Sequence, residues 1–263
     1  DGAVVIGKVQ LGDGSDIANF SGAHALDQVT LLDGGDDATD ADGWMDTLNL
    51  TGVTGTIDGG KLVNWEAVNV AGGPVTINGL NTATASACAG SLTLGGASAI
   101  GAGGVKGCAT DDGITLTGDT AVAGALEGAG GADTIAVLGN ASVLGGVYGG
   151  GNGADASAAA DGGDTITIDT SGTVSLVDGQ LGDDTIDLVK GRITGAVAGG
   201  AGDDTITLSG ANVAGAITGD GGNDHVILSG GSAAGGVQGN DGDDVIDWNS
   251  AAATAPSIAG GSG

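Results

Sequence analysis

Positive charge is nearly missing from this chain of 263 residues: five Lys plus Arg stand against 33 Asp plus Glu, for a formal net charge of −28. Nucleic-acid binding needs a basic footprint, so that class is excluded. Proline is scarce as well, with two residues, and mean hydropathy is +0.23. Disordered chains run the other way, so this sequence is one that buries a core. Aromatics make up 2% of the chain. A compact globule of this length uses more of them as large core pieces, so the core is expected to consist of many small aliphatic contacts in a thin, repetitive architecture. No apolar run approaches the roughly 18 residues of a membrane span. The opening Asp1-Gly2-Ala3-Val4 has no charged n-region or h-region of a signal peptide. The chain is therefore expected to be a mature piece or fragment of a longer protein.

What is abundant is glycine, 59 residues, without the period of three that a collagen repeat demands. The period that does appear is longer. Asp164-Thr165-Ile166, Asp184-Thr185-Ile186, Asp204-Thr205-Ile206, Asp224-His225-Val226 and Asp244-Val245-Ile246 each follow the last by 20 residues. Backwards from there, the same start recurs at Asp133, Asp112, Gly90, Glu66, Asp46 and Asp27, with spacings of 19 to 31 residues. That makes about eleven units. The longest spacing holds Gly149-Gly150-Gly151-Asn152-Gly153 and an Ala-rich stretch, which reads as a loop inserted at a turn. One domain over 1–263 is expected, with irregular coils over 1–163, regular repeats over 164–263, and a continuation past Gly263.

Within a unit, apolar and polar residues alternate with period two, as in a strand with one buried face. Ile166, Ile186, Ile206, Val226 and Ile246 form one inward column, and Ile168, Leu188, Leu208, Leu228 and Trp248 a second. A weaker strand follows, as in Ile193-Thr194-Gly195-Ala196-Val197, whose inward set is large, Gly, large. Two strands and two turns in 20 residues describe one coil of an all-β parallel β-helix or β-roll solenoid, with coils stacked about 4.8 Å apart. Each buried aliphatic contributes roughly 1.5 to 3 kcal/mol. A single coil cannot hide its core, and the array can.

Cys88 and Cys108 fall on the same edge of neighbouring coils in this register. Stacking brings their Cα atoms to about the 4.4 to 6.8 Å that a disulfide needs. The other reading is a pair of buried free thiols.

Each late unit is preceded by a Gly-rich acidic turn, such as Gly179-Gln180-Leu181-Gly182-Asp183-Asp184 and Gly239-Asn240-Asp241-Gly242-Asp243-Asp244. Stacked carboxylates about 5 Å apart repel unless a cation lies between them. Calcium suits such a row, because it accepts six to eight oxygen ligands, including carbonyls that glycine conformations expose. Soft metals are disfavoured: the chain has two His, and neither Cys is near one.

Gly199-Gly200-Ala201-Gly202-Asp203-Asp204-Thr205-Ile206-Thr207 resembles the calcium-binding nonapeptide of RTX proteins, G-G-x-G-x-D-x-U-x, at every defined position. The other turns vary the second position, as Gln180, Asp220 and Asn240. Tandem RTX arrays carry the motif on both edges of the coil and this chain on one, so the resemblance implies a single row of ions. The layout is similar to calcium-laced solenoid segments of large bacterial surface adhesins, an ice-binding type among them. It implies secretion to the cell exterior and a calcium set of Asp184, Asp204, Asp224 and Asp244, with Asp183, Asp203, Asn223 and Asp243 beside them. Asp133 and Asp164 complete the candidate set. The N-terminal half, with Asp46-Thr47-Leu48-Asn49-Leu50-Thr51-Gly52 and Leu62-Val63-Asn64-Trp65-Glu66-Ala67-Val68-Asn69-Val70, is similar to autotransporter passenger domains. The acidic stretch from Asp33 through Asp36, Asp37 and Asp40 to Asp42 holds either another calcium or only water.

Polysaccharide-acting β-helix enzymes use carboxylates, Lys, Arg, Tyr or His in a cleft. The candidates here, Tyr148, His24, His225, Lys190 and Arg192, look scattered. No G-x-S-x-G elbow occurs, Lys190 and Arg192 are expected to balance Asp187, and no active site is expected. For an ice-binding face, Thr165, Thr185 and Thr205 align, as do Thr167 and Thr207, but Asp187, Ile227, Asp247, His225 and Val245 break the rows. The expectation is a non-catalytic, calcium-stabilised rod on a bacterial surface: an adhesin stalk or passenger domain, or alternatively a surface-layer segment. Partners beyond calcium are surface glycans or proteins of host or neighbouring cells, or copies of the chain itself. The insertion from about Gly149 to Asp161 is the expected recognition element or a spacer.

Overall fold

The structure, a computed structural model, describes residues 5–35, 44–151, 161–249 and 253–262. It is an all-β parallel solenoid of about 12 turns, with successive turns about 20 residues apart. One outward column counts the coils directly: Asn19, Asn49, Asn69, Ser86, Lys106, Glu127, Tyr148, Asp178, Ala198, Thr218, Gln238 and Ala259 lie side by side on consecutive parallel strands. The eleven units read from sequence therefore fall one short. No described helix is long and apolar enough to cross a membrane.

In the coils starting at Asp164 and Asp184 one long strand, Thr165–Val174 or Thr185–Ile193, covers the first two of three paired segments, and from Asp204 each regular coil has three strands rather than the two expected. In the coil starting at Asp204 these are Thr205–Leu208, Asn212–Val213 and Ile217–Gly221, here called the front, side and back faces. Each pairs in parallel only with its counterparts in neighbouring coils. The side strand is two residues long, too short to show a period of its own. Consequently the expected strand Ile193-Thr194-Gly195-Ala196-Val197 is really a corner: Ile193 ends the side face, Val197 begins the back face, and Gly195 sits between them in a bend. A Cβ on Gly195 would stand 2.6 Å from the Ser175 carbonyl of the previous coil, so the corners stack as tightly as the strands.

The front-face columns are confirmed as core. Ile166, Ile186, Ile206 and Val226, and Ile168, Leu188, Leu208 and Leu228, are fully buried, and the columns continue backwards through Ile135, Ile114, Leu92 and Val75. Trp248 is the exception, 47% exposed, with its indole N–H donating to the Ala253 carbonyl rather than filling the core. The back face contributes Val177, Val197, Ile217 and Val237, each followed two residues later by an inward glycine, Gly179, Gly199, Gly219 or Gly239. Those glycines make room for something other than Ile and Leu, as shown below.

The 31-residue interval from Asp133 to Asp164 leaves the stacking in register, because Thr134 to Gly139 still pair with Thr165 to Thr170. The described ends of the expected insertion belong to the ladder, with Gly150 paired to Ala129 and Asp161 bridged to Gly131, while residues 152–160 lie outside the described residues, as do 36–43 of the early acidic stretch.

Candidate functional site

Where the back face turns into the front face, the chain runs through the acidic turn, and these turns stack into one rim. Gly182, Gly202, Gly222 and Gly242 have φ of 115°, 142°, 141° and 134°. Beyond the left-handed backbone, a Cβ on Gly202, Gly222 or Gly242 would collide with the carbonyl of the glycine one coil earlier. Both conditions demand glycine, which explains why all four turns keep it.

The paired acids of the motif separate by parity. Asp184 shares the inward parity of Ile186 and Leu188, whereas Asp183 shares the outward parity of Thr185. Asp133, Asp164, Asp184, Asp204 and Asp224 are accordingly 1 to 2% exposed, a buried column, and Asp244 continues it half-buried. Asp183, Asp203, Asn223 and Asp243 form an exposed column outside it. The eight residues expected to act together therefore form two rows with different surroundings.

In the inner row, each carboxylate fastens one coil to the one before. The Asp164 N–H donates to Asp184 Oδ1 at 2.7 Å, Asp184 to Asp204 at 2.8 Å, Asp204 to Asp224 at 2.9 Å and Asp224 to Asp244 at 3.0 Å. The same bond joins Asp112 to Asp133 and Asp133 to Asp164, both at 2.7 Å. The outer row runs in the opposite sense: the N–H groups of Asp203, Asn223 and Asp243 donate back to Asp183, Asp203 and Asn223 at 2.7 to 3.0 Å.

The second oxygen of the inner row has no such role. Oδ2 of Asp133, Asp164, Asp184, Asp204, Asp224 and Asp244 is buried without a hydrogen-bond partner. Each lies where a side chain would project from an inward back-face glycine: Gly128, Gly179, Gly199, Gly219 or Gly239 five residues earlier and, for Asp164, Gly149 fifteen residues earlier across the insertion. In the turns of Gly128, Gly149, Gly179, Gly199 and Gly239, that space is shared with a glycine carbonyl from the following coil, such as Gly199 O beside Gly179. Two acceptors thus converge with no donor between them, a costly arrangement for uncompensated groups. Burial is the main reason that Asp133, Asp164 and Asp204 are pushed up to about 7 and Asp184 to about 8, opposed by the N–H bond each accepts and reinforced by neighbouring aspartates. Asp224 is raised for the same reason.

No family model, curated protein or solved structure matches the chain.

A hard divalent cation fits this cradle chemically: it replaces the missing donor, neutralises the column and accepts carbonyl oxygens. Among the described residues no three Asp, Glu, His or Cys side chains gather as a metal-holding group. Backbone carbonyls would have to supply most ligands of such an ion.

Cys88 and Cys108 are joined in a disulfide, with Cα atoms 5.2 Å apart, as the register required. It closes the same rim, ahead of the aspartate column. The unit starts read from sequence do not all share that rim, however. The Asp16 N–H donates to Asp46 Oδ1 at 2.7 Å and the Asp46 N–H to Glu66 Oε2, but these residues precede the back-face strands Thr47–Thr51 and Ala67–Ala71. This early acidic ladder sits at the corner between side and back faces. Asp27 lies on neither rim and instead holds the exposed His24 at 2.9 Å.

The residues weighed as catalytic stay apart, and only Tyr148 enters a row of polar side chains, with three residues that sequence reasoning did not single out. Lys106, Glu127, Tyr148 and Asp178 line up on the back face, with Lys106 Nζ 3.4 Å from the buried Glu127 and the Tyr148 hydroxyl pushed up by burial, Asp178 and Glu127. The signal lay in counting register from the core outward, which the variable early spacing hid. His225 is partnered by Asp247 at 2.9 Å on the exposed front face, and Lys190 donates to Ser171. A groove of about 640 Å³ among the first coils is lined by His24, Asp27, Asp58 and Lys61 among others, apart from these groups. The front-face threonine rows are longer than expected, running through Thr56, Thr76, Thr93 and Thr115 to Thr167, with Ala136, Asp187 and Ile227 as breaks.

Proposed function

We propose that this chain is a non-catalytic structural rod whose coils are fastened by calcium along one rim, and that it serves as an RTX-like stalk or passenger segment of a secreted bacterial surface protein. The observation that supports this reading is the row of buried, partnerless Oδ2 atoms facing glycine carbonyls of the next coil. Calcium there supplies the positive charge that the desolvated carboxylates lack. Asp133, Asp164, Asp184, Asp204, Asp224 and Asp244 would hold it through Oδ2 while Oδ1 keeps the adjacent coil in place. Asp183, Asp203, Asn223 and Asp243 stay outside as a hydrated row that screens the rim. Extracellular calcium, near millimolar, matches the weak affinities of extracellular modules, so the rod would form outside the cell and loosen where calcium is scarce. The disulfide is compatible with an oxidising exterior.

Thermal melting with calcium and with a chelator tests the reading. One site at a hundredfold excess over its Kd adds about 2.7 kcal/mol, which in a domain of this size raises the midpoint by roughly 5 to 10 °C. Several sites raise it further. A midpoint that moves less than about 3 °C between the two conditions overturns the calcium role.

A further inference from the structure

The inserted segment returns to the rim at Asp161, which bridges in parallel to Gly131. Counted from the column aspartate, Asp161 occupies the position of Leu181, Ala201 and Gly221 in the next three coils, so here alone among those four the turn brings in a further carboxylate. Its placement is specific. The three atoms nearest a Cβ on Gly150 all belong to the Asp161 carboxyl group, while a Cβ on the preceding Gly149 would meet Asp164 Oδ2 and the Gly179 carbonyl. Two successive glycines on one side of the insertion thus open space for two carboxylates on the other.

Each carboxylate accepts backbone N–H bonds, Asp164 from Asp133 and Asp161 from Leu181 and Gly162, yet each keeps one oxygen unsatisfied. Asp161 Oδ1 and Asp164 Oδ2 are both buried without a hydrogen-bond partner, and so are Asp133 Oδ2 and Asp184 Oδ2 in the adjoining coils. Asp164 is 1% exposed, which leaves its second oxygen no access to bulk water. The charges acting on Asp133, Asp164 and Asp184 are those of other aspartates, with Asp161 among them in each case. The regular turns offer one inward carboxylate each.

We propose that Asp161 and Asp164, with rim carbonyls such as that of Gly179, form a distinct site for a hard divalent cation at the neck of the insertion, and that this is the first rim site to fill. Ligand charge count sets the affinity of oxygen-only sites, so two carboxylates backed by two more outrank the single inward carboxylate of a regular turn. Gly150 and Asp161 flank the inserted residues on either side, so a cation held there clamps both ends of the insertion to the rod. The proposal rests on the calcium reading of the rim, and the experiment separates the two.

Calcium titration by calorimetry is run on the full chain, on Asp161→Asn and on Asp241→Asn, the exposed acid at the same register in a later coil. Asp161→Asn is expected to lose one ion from the stoichiometry and to weaken the first binding step by about tenfold or more, while Asp241→Asn keeps that step. Melting in chelator within a few degrees of the parent shows that the variants fold. If Asp161→Asn keeps the parent's stoichiometry and first step, or if Asp241→Asn weakens that step equally, the neck site is wrong and the rim reading stands. If the parent chain takes up no calcium, the rim reading fails and the neck site with it.

Discussion

The coils around residues 81–130 and those around 161–249 share the same three faces and the same aliphatic columns, yet they fasten the rim differently. In the earlier coils, Cys88 and Cys108 occupy the register that passes to Ala129, Gly150, Gln180 and Gly200, and a covalent bond closes the rim. Asp112, next to it, satisfies both oxygens: Oδ2 accepts from the Cys108 N–H at 2.7 Å and Oδ1 from the Gly90 N–H at 3.4 Å. From Asp133 onward, no disulfide occurs, and each carboxylate keeps one buried oxygen without a partner. At a corner the backbone N–H lies beyond the regular strand ladder and must still be paired. The same corner is therefore closed by a covalent bond plus hydrogen bonds in one region, and in the other by a carboxylate column whose second oxygens are buried without partners.

Removing calcium should expose that contrast most strongly through pH. In chelator, Asp133, Asp164 and Asp204 at about 7 and Asp184 at about 8 hold protons that the unfolded chain has released above its ordinary carboxylate pKa near 4. Stability from these groups is thus full below pH ~4 and lost as pH rises to about 8. With calcium present the slope is expected to reverse over that window, since the ion competes with the proton for the same carboxylates. Chemical denaturation across pH 4 to 8, with amide exchange reporting residues 161–249 and 81–130 separately, checks this. A slope that is the same with and without calcium breaks the comparison.

Next in size is the disulfide. Reduction, or Cys88→Ser with Cys108→Ser, opens a 20-residue loop and should cost roughly 3 kcal/mol. The loss should appear in denaturant melts equally with and without calcium, with exchange protection falling first around residues 81–130. Asp204→Asn should act in the opposite region with a sign set by calcium. The amide still accepts the Asp184 N–H through its oxygen, while its NH2 replaces the partnerless Oδ2. The variant should lose about 1 to 3 kcal/mol in calcium and gain stability in chelator at pH 7.5, because it removes a buried unpaired charge. Loss in both media would mean that Oδ2 has a partner other than a cation. Asp203→Asn, in the exposed row, should change the unfolding free energy by no more than about 0.5 kcal/mol in either medium, since the amide oxygen still accepts from Asn223.

The late coils were readable because the four front-face residues after each column aspartate alternate cleanly and repeat in strict register; Ile206 and Leu208 announce the core on sight. The side face was not readable, because Arg192–Ile193 and Asn212–Val213 offer one inward residue each. The early coils misled because the acidic ladder changes corners, from Asp46 and Glu66 before the back face to Asp112 before the front face, so that counting acids is not the same as counting coils. The rim itself was half legible. The Asp doublets marked it, and the parity of Asp184 with Ile186 already separates the inner acid from Asp183. What pattern could not show is that the glycine five residues earlier gives its side-chain space to the carboxylate, a long contact across the turn. The Asp161 carboxyl was hidden for the same reason, beyond an insertion that breaks the period.

Diffraction from crystals grown with calcium, or with a lanthanide in its place, tests the central claim most directly. The account predicts a line of anomalous peaks beside Oδ2 of Asp184, Asp204 and Asp224, one per coil and about 4.8 Å apart. Carboxylates that keep their positions with no peak at saturating metal would contradict it, and would leave protons as the charge that closes the rim.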